Sequence, residues 1–176
     1  MTRSFALLAA ALAVNLPAAP ALAELPVGKT APAFSTQAAL AGKEFAFSLR
    51  EALGKGPVVL YFYPKAFTQG CTLEANAFAE SMGEFREAGA SVIGMSNDDI
   101  ATLKRFSREE CRDAFPVGVA SAKVIADYDV KLGATGLASR TSYVIAPDGR
   151  IVAVHSDSDY RGHVKETLAA VRALSR

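Results

Sequence analysis

The alternation of apolar and polar residues along the chain predicts a domain built from both strands and helices. Residues 58–63 are continuously apolar and rich in β-branched and aromatic residues, which is typical of a central strand buried on both faces, and residues 90–95 are predicted as a second buried strand. Between them, apolar residues recur at helical spacing over 72–88. Residues 141–146 and 151–155 flank an Asp-Gly turn and predict a hairpin. The remaining predicted elements are an irregular lead at 25–37, a strand at 43–48, a helical turn at 49–53, and helices at 100–113, 121–130 and 159–176.

The order of these elements predicts the fold class. Strand, helix, strand and helix are followed by a hairpin and a last helix, which gives a parallel pair of strands beside an antiparallel pair. We therefore expect an α/β domain with a mixed central sheet and helices on both faces. The sequence shows no internal repeat or interior linker, so residues 24–176 are predicted to form one domain.

The first 23 residues have the layout of a secretory signal peptide. Arg3 is followed by an apolar run at 5–14 and by small residues ending in Ala21-Leu22-Ala23, with cleavage expected before Glu24. The apolar run is too short to span a bilayer, which needs roughly 20 residues. The sequence thus predicts a periplasmic or secreted protein, the alternative being a retained anchor or a buried helix.

Charge restricts the classes of partner. The full chain has 19 Lys and Arg against 18 Asp and Glu, and residues 1–23 contain one of the basic residues and none of the acidic ones. No basic run suggests a nucleic acid or a membrane surface as partner. A small, uncharged substrate suits this balance better.

Two cysteines, Cys71 and Cys111, lie after the predicted cleavage site. In an exported protein such a pair is by default a structural disulfide, and closing a loop of about 40 residues would stabilise the fold by roughly 4 kcal/mol. Cys71, however, falls where a buried strand gives way to a helix, so free amides and the helix dipole favour its thiolate. Thr68 and Pro64 precede it, where the threonine hydroxyl could reach the sulfur and the proline ring could shield it.

The spacing Pro64-x-x-x-Thr68-x-x-Cys71, within YFYPKAFTQGCTLEA, resembles the active-site motif of peroxiredoxins, most closely the PrxQ or bacterioferritin comigratory protein branch. VGKTAPAF at 27–34 is similar to the opening segment of that family, and SRTSYVI at 139–145 to its late strand with the active-site arginine. The resemblance covers most of residues 25–170. It implies a thioredoxin-like fold and a thiol peroxidase that reduces hydrogen peroxide and organic hydroperoxides without a cofactor.

The resemblance also implies roles for individual residues. Cys71 would attack the peroxide and become a sulfenic acid. Arg140 would stabilise the thiolate and orient the peroxide, and Glu74 would position that arginine. Taken alone, Arg140 could be a solvated charge, and Glu74 could be a first-turn carboxylate favoured by the helix dipole.

The chain departs from the family pattern at three positions. Asn76 stands where many PrxQ proteins have a second cysteine, while Gln69 replaces a usual Pro and Ala66 a common Asp. Cys111, in the predicted helix 100–113, then becomes the candidate resolving residue. It would form an intramolecular disulfide that a thioredoxin-like dithiol protein reduces. A one-cysteine enzyme with Cys111 unengaged is the alternative, and a monomer or weak dimer is expected.

Other readings of the sequence have less support. No Gly-rich dinucleotide fingerprint follows a predicted strand, and His155, Asp157, Asp159 and His163 have no common metal-site spacing and are explained by a polar helix start. A disulfide oxidoreductase usually needs Cys-x-x-Cys, whereas position 74 is Glu. A non-catalytic exported domain with a structural Cys71–Cys111 disulfide stays open.

Overall fold

The computed structural model describes residues 24–174, so the predicted signal peptide at 1–23 lies outside the described residues. Over the described range the chain forms seven strands and five helices. In chain order these are β1 Ser35–Leu40, β2 Lys43–Ser48, α1 Leu49–Leu53, β3 Val58–Phe62, α2 Gln69–Glu87, β4 Ser91–Ser96, α3 Ile100–Glu109, β5 Val117–Val119, α4 Ala122–Asp127, β6 Thr141–Ile145, β7 Ile151–Ser156 and α5 Arg161–Leu174.

All seven strands form one mixed sheet in the order β2-β1-β5-β4-β3-β6-β7. β3 runs parallel to β4, and β4 runs parallel to β5. β6 pairs antiparallel with β3 on its other side and with β7 through the predicted hairpin. The predicted parallel pair beside an antiparallel pair is therefore confirmed.

The sheet separates two apolar cores. Val59 and Tyr61 of β3 belong to one core, whereas Leu60 and Phe62 belong to the other, because successive side chains of a strand point to opposite faces. Residues of α2, α3 and α5 cover the first core, and residues of α1 and α4 cover the second. Right-handed crossovers from β3 through β4 to β5 explain why α2 and α3 share a face.

The structure corrects several predicted boundaries. The predicted irregular lead at 25–37 includes the first half of β1, and neither β1 nor β5 is predicted as a strand. α2 begins at Gln69 rather than at 72, so Cys71 lies within its first turn. α3 ends at Glu109 rather than at 113, because Arg112 and Asp113 adopt left-handed backbone conformations with φ of 51° and 56°.

Candidate active site

Cys71 is the third residue of α2, whose N-cap position is Thr68. The amide of Thr72 donates to the carbonyl oxygen of Thr68 at 2.9 Å and closes the first helical turn. The amides of residues 69–71 precede this bond and have no acceptor within the helix. The Cys71 side chain, only 2% exposed, thus lies at the positive end of the helix and beneath the surface.

The loop that leads into α2 is held from two sides. The amide of Ala66 donates to Oδ2 of Asp98, which follows β4, at 2.8 Å. Phe67 adopts a φ of 63°, and its ring meets the ring of Phe106 on α3 edge-on at 5.2 Å between centroids. Pro64, half-buried, begins this loop. The loop is therefore anchored at Ala66 and Phe67, by the segment after β4 and by α3.

Thr68 is exposed, and its hydroxyl donates to the carbonyl oxygen of Lys65 at 2.9 Å. It makes no capping hydrogen bond to the helix, and in the described structure no hydrogen bond joins it to the sulfur of Cys71. The sequence predicts that this hydroxyl can reach the sulfur of Cys71. In the structure it is instead hydrogen-bonded within the loop before α2.

Arg140, just before β6, reaches Cys71. Its Nη2 donates to the Cys71 sulfur at 3.5 Å, its Nη1 pairs with Oε2 of Glu74, and its Nε donates to the carbonyl oxygen of Ser158 at 3.0 Å. The side chain is 9% exposed, so it is not a solvated charge. A Cβ at position 70 would lie 3.1 Å from Nη2, which explains why Gly70 precedes the cysteine.

Glu74 lies three residues after Cys71 on the same face of α2 and is fully buried. It pairs with Arg140 as the resemblance implied, rather than remaining a solvent-facing first-turn carboxylate. Burial raises the pKa of Glu74 to about 8, and the charge of Arg140 opposes this shift only in part.

Behind Glu74 lies a residue that the sequence reading did not place in the site. His163 lies in the first turn of α5, the predicted helix start, but it is fully buried rather than solvent-facing. Its Nδ1 lies 2.7 Å from Oγ of Ser142 on β6 and 3.7 Å from Oε1 of Glu74. The spacing of His163 with Thr167, which also lies on the buried face of α5, could have indicated this position.

Cys111 lies just beyond α3 rather than late in it, and its side chain is fully enclosed. Both cysteines are free thiols and belong to the same apolar core, together with Tyr61 and Phe78. Burial, and then the nearby carboxylates of residues 110 and 113, raise the pKa of the Cys111 thiol well above its ordinary value. In this conformation Cys111 is therefore a protonated thiol.

The comparisons with known proteins point to one family. The sequence profile of the AhpC/TSA family matches residues 27–154, a range that contains Cys71, Cys111 and Arg140. The chain belongs to the AhpC/TSA family. A protein of Mycobacterium tuberculosis named as a peroxiredoxin is 36% identical over 126 residues, covering 69% of this chain and 82% of that protein. Chloroplastic peroxiredoxin Q of Oryza sativa subsp. japonica is 35% identical over 131 residues, covering 73% and 60%.

Among solved structures, the crystal structure of peroxidoxin BcpB from Mycobacterium tuberculosis superposes with a TM-score of 0.76. It is 35% identical in sequence, and the match covers 84% of this chain and 97% of that chain. The fold is thus the thioredoxin-like α/β fold of peroxiredoxins, and the family and fold support a thiol peroxidase. Within 24–174, no helix has both the length and the apolar character needed to cross a membrane.

One more feature of this AhpC/TSA-family chain bears on Cys111. The segment 110–114 lies along α2 and is attached to it by three contacts, each from a different side chain of that helix. These are Asn76 Nδ2 to Glu110 Oε2 at 3.2 Å, Arg112 Nη1 to Glu80 Oε1 at 3.1 Å, and Arg86 Nη2 to the carbonyl oxygen of Ala114 at 2.7 Å. The helix that carries Cys71 is therefore tied directly to the segment that carries Cys111.

Proposed function

We propose that this chain reduces hydrogen peroxide and organic hydroperoxides with Cys71 as the peroxidatic residue. The observation that carries the proposal is the contact between Arg140 Nη2 and the Cys71 sulfur at 3.5 Å, at the amino end of a buried helix. A guanidinium and free helix amides both favour negative charge on this sulfur. A cysteine with only a structural role has no need of such a setting.

In the first step the Cys71 thiolate attacks one oxygen of the peroxide. A sulfur–oxygen bond forms while the oxygen–oxygen bond breaks, and the leaving oxygen takes up a proton to become water or an alcohol. Cys71 is oxidised to a sulfenic acid and the peroxide is reduced. Arg140 supports this step because it can donate both to the sulfur and to a peroxide oxygen next to it.

In the second step Cys111 resolves the sulfenic acid. Its sulfur attacks the sulfur of Cys71, water leaves, and an intramolecular disulfide forms that a thioredoxin-like dithiol protein reduces by exchange. Asn76 supports this choice, because it replaces the nearer cysteine found in many relatives of the PrxQ type. Since both thiols are enclosed in the folded conformation, the 110–114 segment or the first turn of α2 has to open locally.

The proposal extends to the cellular setting. We infer export to the periplasm or beyond, on the layout of residues 1–23, with residues 24–176 as the mature domain. The balanced charge of the mature chain suits a small, uncharged peroxide, and the catalytic chain is expected to act as a monomer or weak dimer.

Steady-state turnover tests the proposal. Wild type, Cys71→Ser and Cys111→Ser proteins are assayed for peroxide consumption with a thioredoxin and its reductase. We expect turnover for wild type only. Turnover by Cys111→Ser at the wild-type rate would favour the one-cysteine alternative, and no turnover by wild type with a slowly reacting Cys71 would favour a structural disulfide.

A further inference from the structure

The loop between β3 and α2 is held at one peptide group, the one that joins Lys65 to Ala66. On one side of this group, the Ala66 nitrogen donates to Oδ2 of Asp98 at 2.8 Å. On the other side, the Lys65 carbonyl oxygen accepts from the hydroxyl of Thr68 at 2.9 Å. Because a peptide group is planar and rigid, a side chain that holds its N–H also fixes the direction of its C=O. Asp98 is therefore connected to Thr68 through a single peptide plane.

Thr68 in turn begins the helix that carries Cys71. It is the N-cap residue of α2, and its carbonyl oxygen accepts from the amide of Thr72 at 2.9 Å, which closes the first turn. In this conformation of the turn, Nη2 of Arg140 lies 3.5 Å from the Cys71 sulfur. The backbone at Gly70 is also close to that nitrogen, since a Cβ there would lie only 3.1 Å from it. The contact between sulfur and guanidinium thus depends on where the first turn is held.

Asp98 has a firm attachment of its own. Its Oδ2 accepts a second hydrogen bond, from the hydroxyl of Ser96 at 2.8 Å, and its amide donates to the same hydroxyl at 3.4 Å. Ser96 is fully buried and is the last residue of β4, which pairs with β3 on one side and β5 on the other. Both hydrogen bonds of the carboxylate therefore end on one oxygen, and that oxygen is fixed to the centre of the sheet.

The neighbouring aspartate shows what a purely local role looks like at this point of the chain. Asp99 is the N-cap residue of α3, where its Oδ1 accepts from the amide of Thr102 at 2.7 Å. Asp98 instead reaches Ala66, which lies 32 positions earlier in the chain. Its contact is therefore directed to the loop that precedes Cys71.

We propose that Asp98 is a positioning residue of the peroxidase site, which holds the first turn of α2 where Arg140 reaches Cys71. It acts through the 65–66 peptide group and Thr68 rather than by contact with the sulfur. The same arrangement explains why the Thr68 hydroxyl faces the loop. The proposal rests on the peroxidatic role of Cys71 and deepens it.

Two substitutions of Asp98 separate its hydrogen bonds from its charge. Asp98→Ala leaves the Ala66 amide without its acceptor, so the peptide group is free to turn. The rate constant for the first oxidation of Cys71 should then fall about tenfold or more, because small displacements of reacting groups have effects of this size. Asp98→Asn should stay within about threefold of wild type, since one amide oxygen can accept both hydrogen bonds.

Two measurements on the reduced proteins test this. Mixing with hydrogen peroxide and quenching with an alkylating reagent gives the oxidation rate, and amide hydrogen exchange followed by nuclear magnetic resonance reports on the Ala66 contact. We expect slow exchange of the Ala66 amide in wild type and Asp98→Asn, and fast exchange in Asp98→Ala. Asp99→Ala is the matched control, because it removes a hydrogen bond of the same kind from the next residue. It should leave both measurements unchanged.

Two results would overturn the proposal. One is a wild-type Ala66 amide that exchanges as fast as in an unfolded peptide, and the other is an Asp98→Ala oxidation rate within about threefold of wild type. If Asp98→Ala does not fold, Ser96→Ala takes its place, because it removes only the hydroxyl that holds Oδ2. Its rate should fall about threefold, and an unchanged rate would then contradict the proposal.

The same experiment separates the two proposals. Rapid oxidation of Cys71 in wild type and in Asp98→Ala alike would sink the role of Asp98 and leave the peroxidase standing. Slow oxidation of Cys71 in wild type would sink the peroxidase itself, whatever the exchange of the Ala66 amide.

Discussion

Nη2 of Arg140 contacts the sulfur of Cys71 at 3.5 Å, although 69 positions separate the two residues in the chain. The register of the sheet explains this contact. Thr141, the first residue of β6, pairs with Phe62, the last residue of β3, so the residue before β6 and the loop after β3 meet at the same end of the sheet. The central antiparallel pair therefore places the cation beside the cysteine.

Replacing Arg140 with Lys keeps the charge but removes the planar fork that donates to Cys71, Glu74 and Ser158 at once. We expect the rate constant for the first oxidation to fall by about 10²-fold. Rapid-quench alkylation followed by mass spectrometry measures it. Arg150→Lys, an exposed arginine paired with Asp148, is the control. A rate within about threefold of wild type in Arg140→Lys would show that the fork is not needed.

Replacing Cys111 with Ser separates the two chemical steps. Because Cys111 does not contact the peroxide in the proposed mechanism, the first oxidation should keep its rate while disulfide formation stops. Mass spectrometry of the oxidised protein should find one added oxygen on Cys71, whereas wild type should lose two hydrogen atoms. Full recycling of the variant by a dithiol reductant would instead mean that Cys111 is not the resolving residue.

The contact between Asn76 and Glu110 should slow resolution, because it holds the 110–114 segment against α2. Asn76→Ala removes about 0.5–1.5 kcal/mol from the closed form. We expect disulfide formation after a single oxidation to become roughly threefold faster, measured by quenching at successive times. Arg86→Ala should act in the same way, because it removes the hydrogen bond from Nη2 to the carbonyl oxygen of Ala114. Asn97→Ala, an exposed residue away from this segment, is the control. An unchanged rate in both test variants would place the rate-limiting motion elsewhere.

The pKa of Glu74 predicts how stability depends on pH. Folding raises this pKa from 4.5 to about 8, so the protonated group favours the folded state. Its contribution is fully present below pH 4.5 and is lost as the pH rises through 8. The free energy of unfolding of wild type, relative to Glu74→Gln, should therefore fall across that window by a few kcal/mol in order of magnitude.

Urea unfolding at several pH values measures this difference. The same substitution at the exposed Glu87 controls for the exchange of a carboxyl for an amide. A constant difference between wild type and Glu74→Gln from acid to alkaline pH would show that Glu74 titrates alike in the folded and unfolded chains.

Much of the fold could be predicted because its central elements have strong local patterns. The segments that became β3 and β4 are short and largely apolar, which is typical of strands buried inside a sheet, and the Asp-Gly turn joins β6 to β7. β1 has no such pattern: Ser35–Leu40 becomes a strand because β2 and β5 offer their edges to it. The early start of α2 likewise escaped prediction, since Gly70 is a poor helix former.

The residues of the candidate site likewise fall into two groups, those that short motifs predicted and those that they did not. Cys71, Glu74 and Arg140 were identified from short motifs, and the structure brings all three into contact. The position of His163 behind Glu74 was missed because it depends on the docking of α5 against β6, although the spacing with Thr167 marks a buried face of α5. The same holds for Asn76, whose contact with the Cys111 segment exists only in the folded chain.

The reactivity of Cys71 decides between a peroxidase and a structural thiol, and one measurement reports on it directly. Reduced Cys111→Ser protein is mixed with hydrogen peroxide, quenched at millisecond to second intervals with an alkylating reagent, and analysed for sulfenic acid at Cys71. We expect a second-order rate constant at least about 10²-fold above that of free cysteine at the same pH, and no such product when Cys71 is also replaced by Ser. Oxidation of Cys71 no faster than that of free cysteine would contradict the peroxidase assignment.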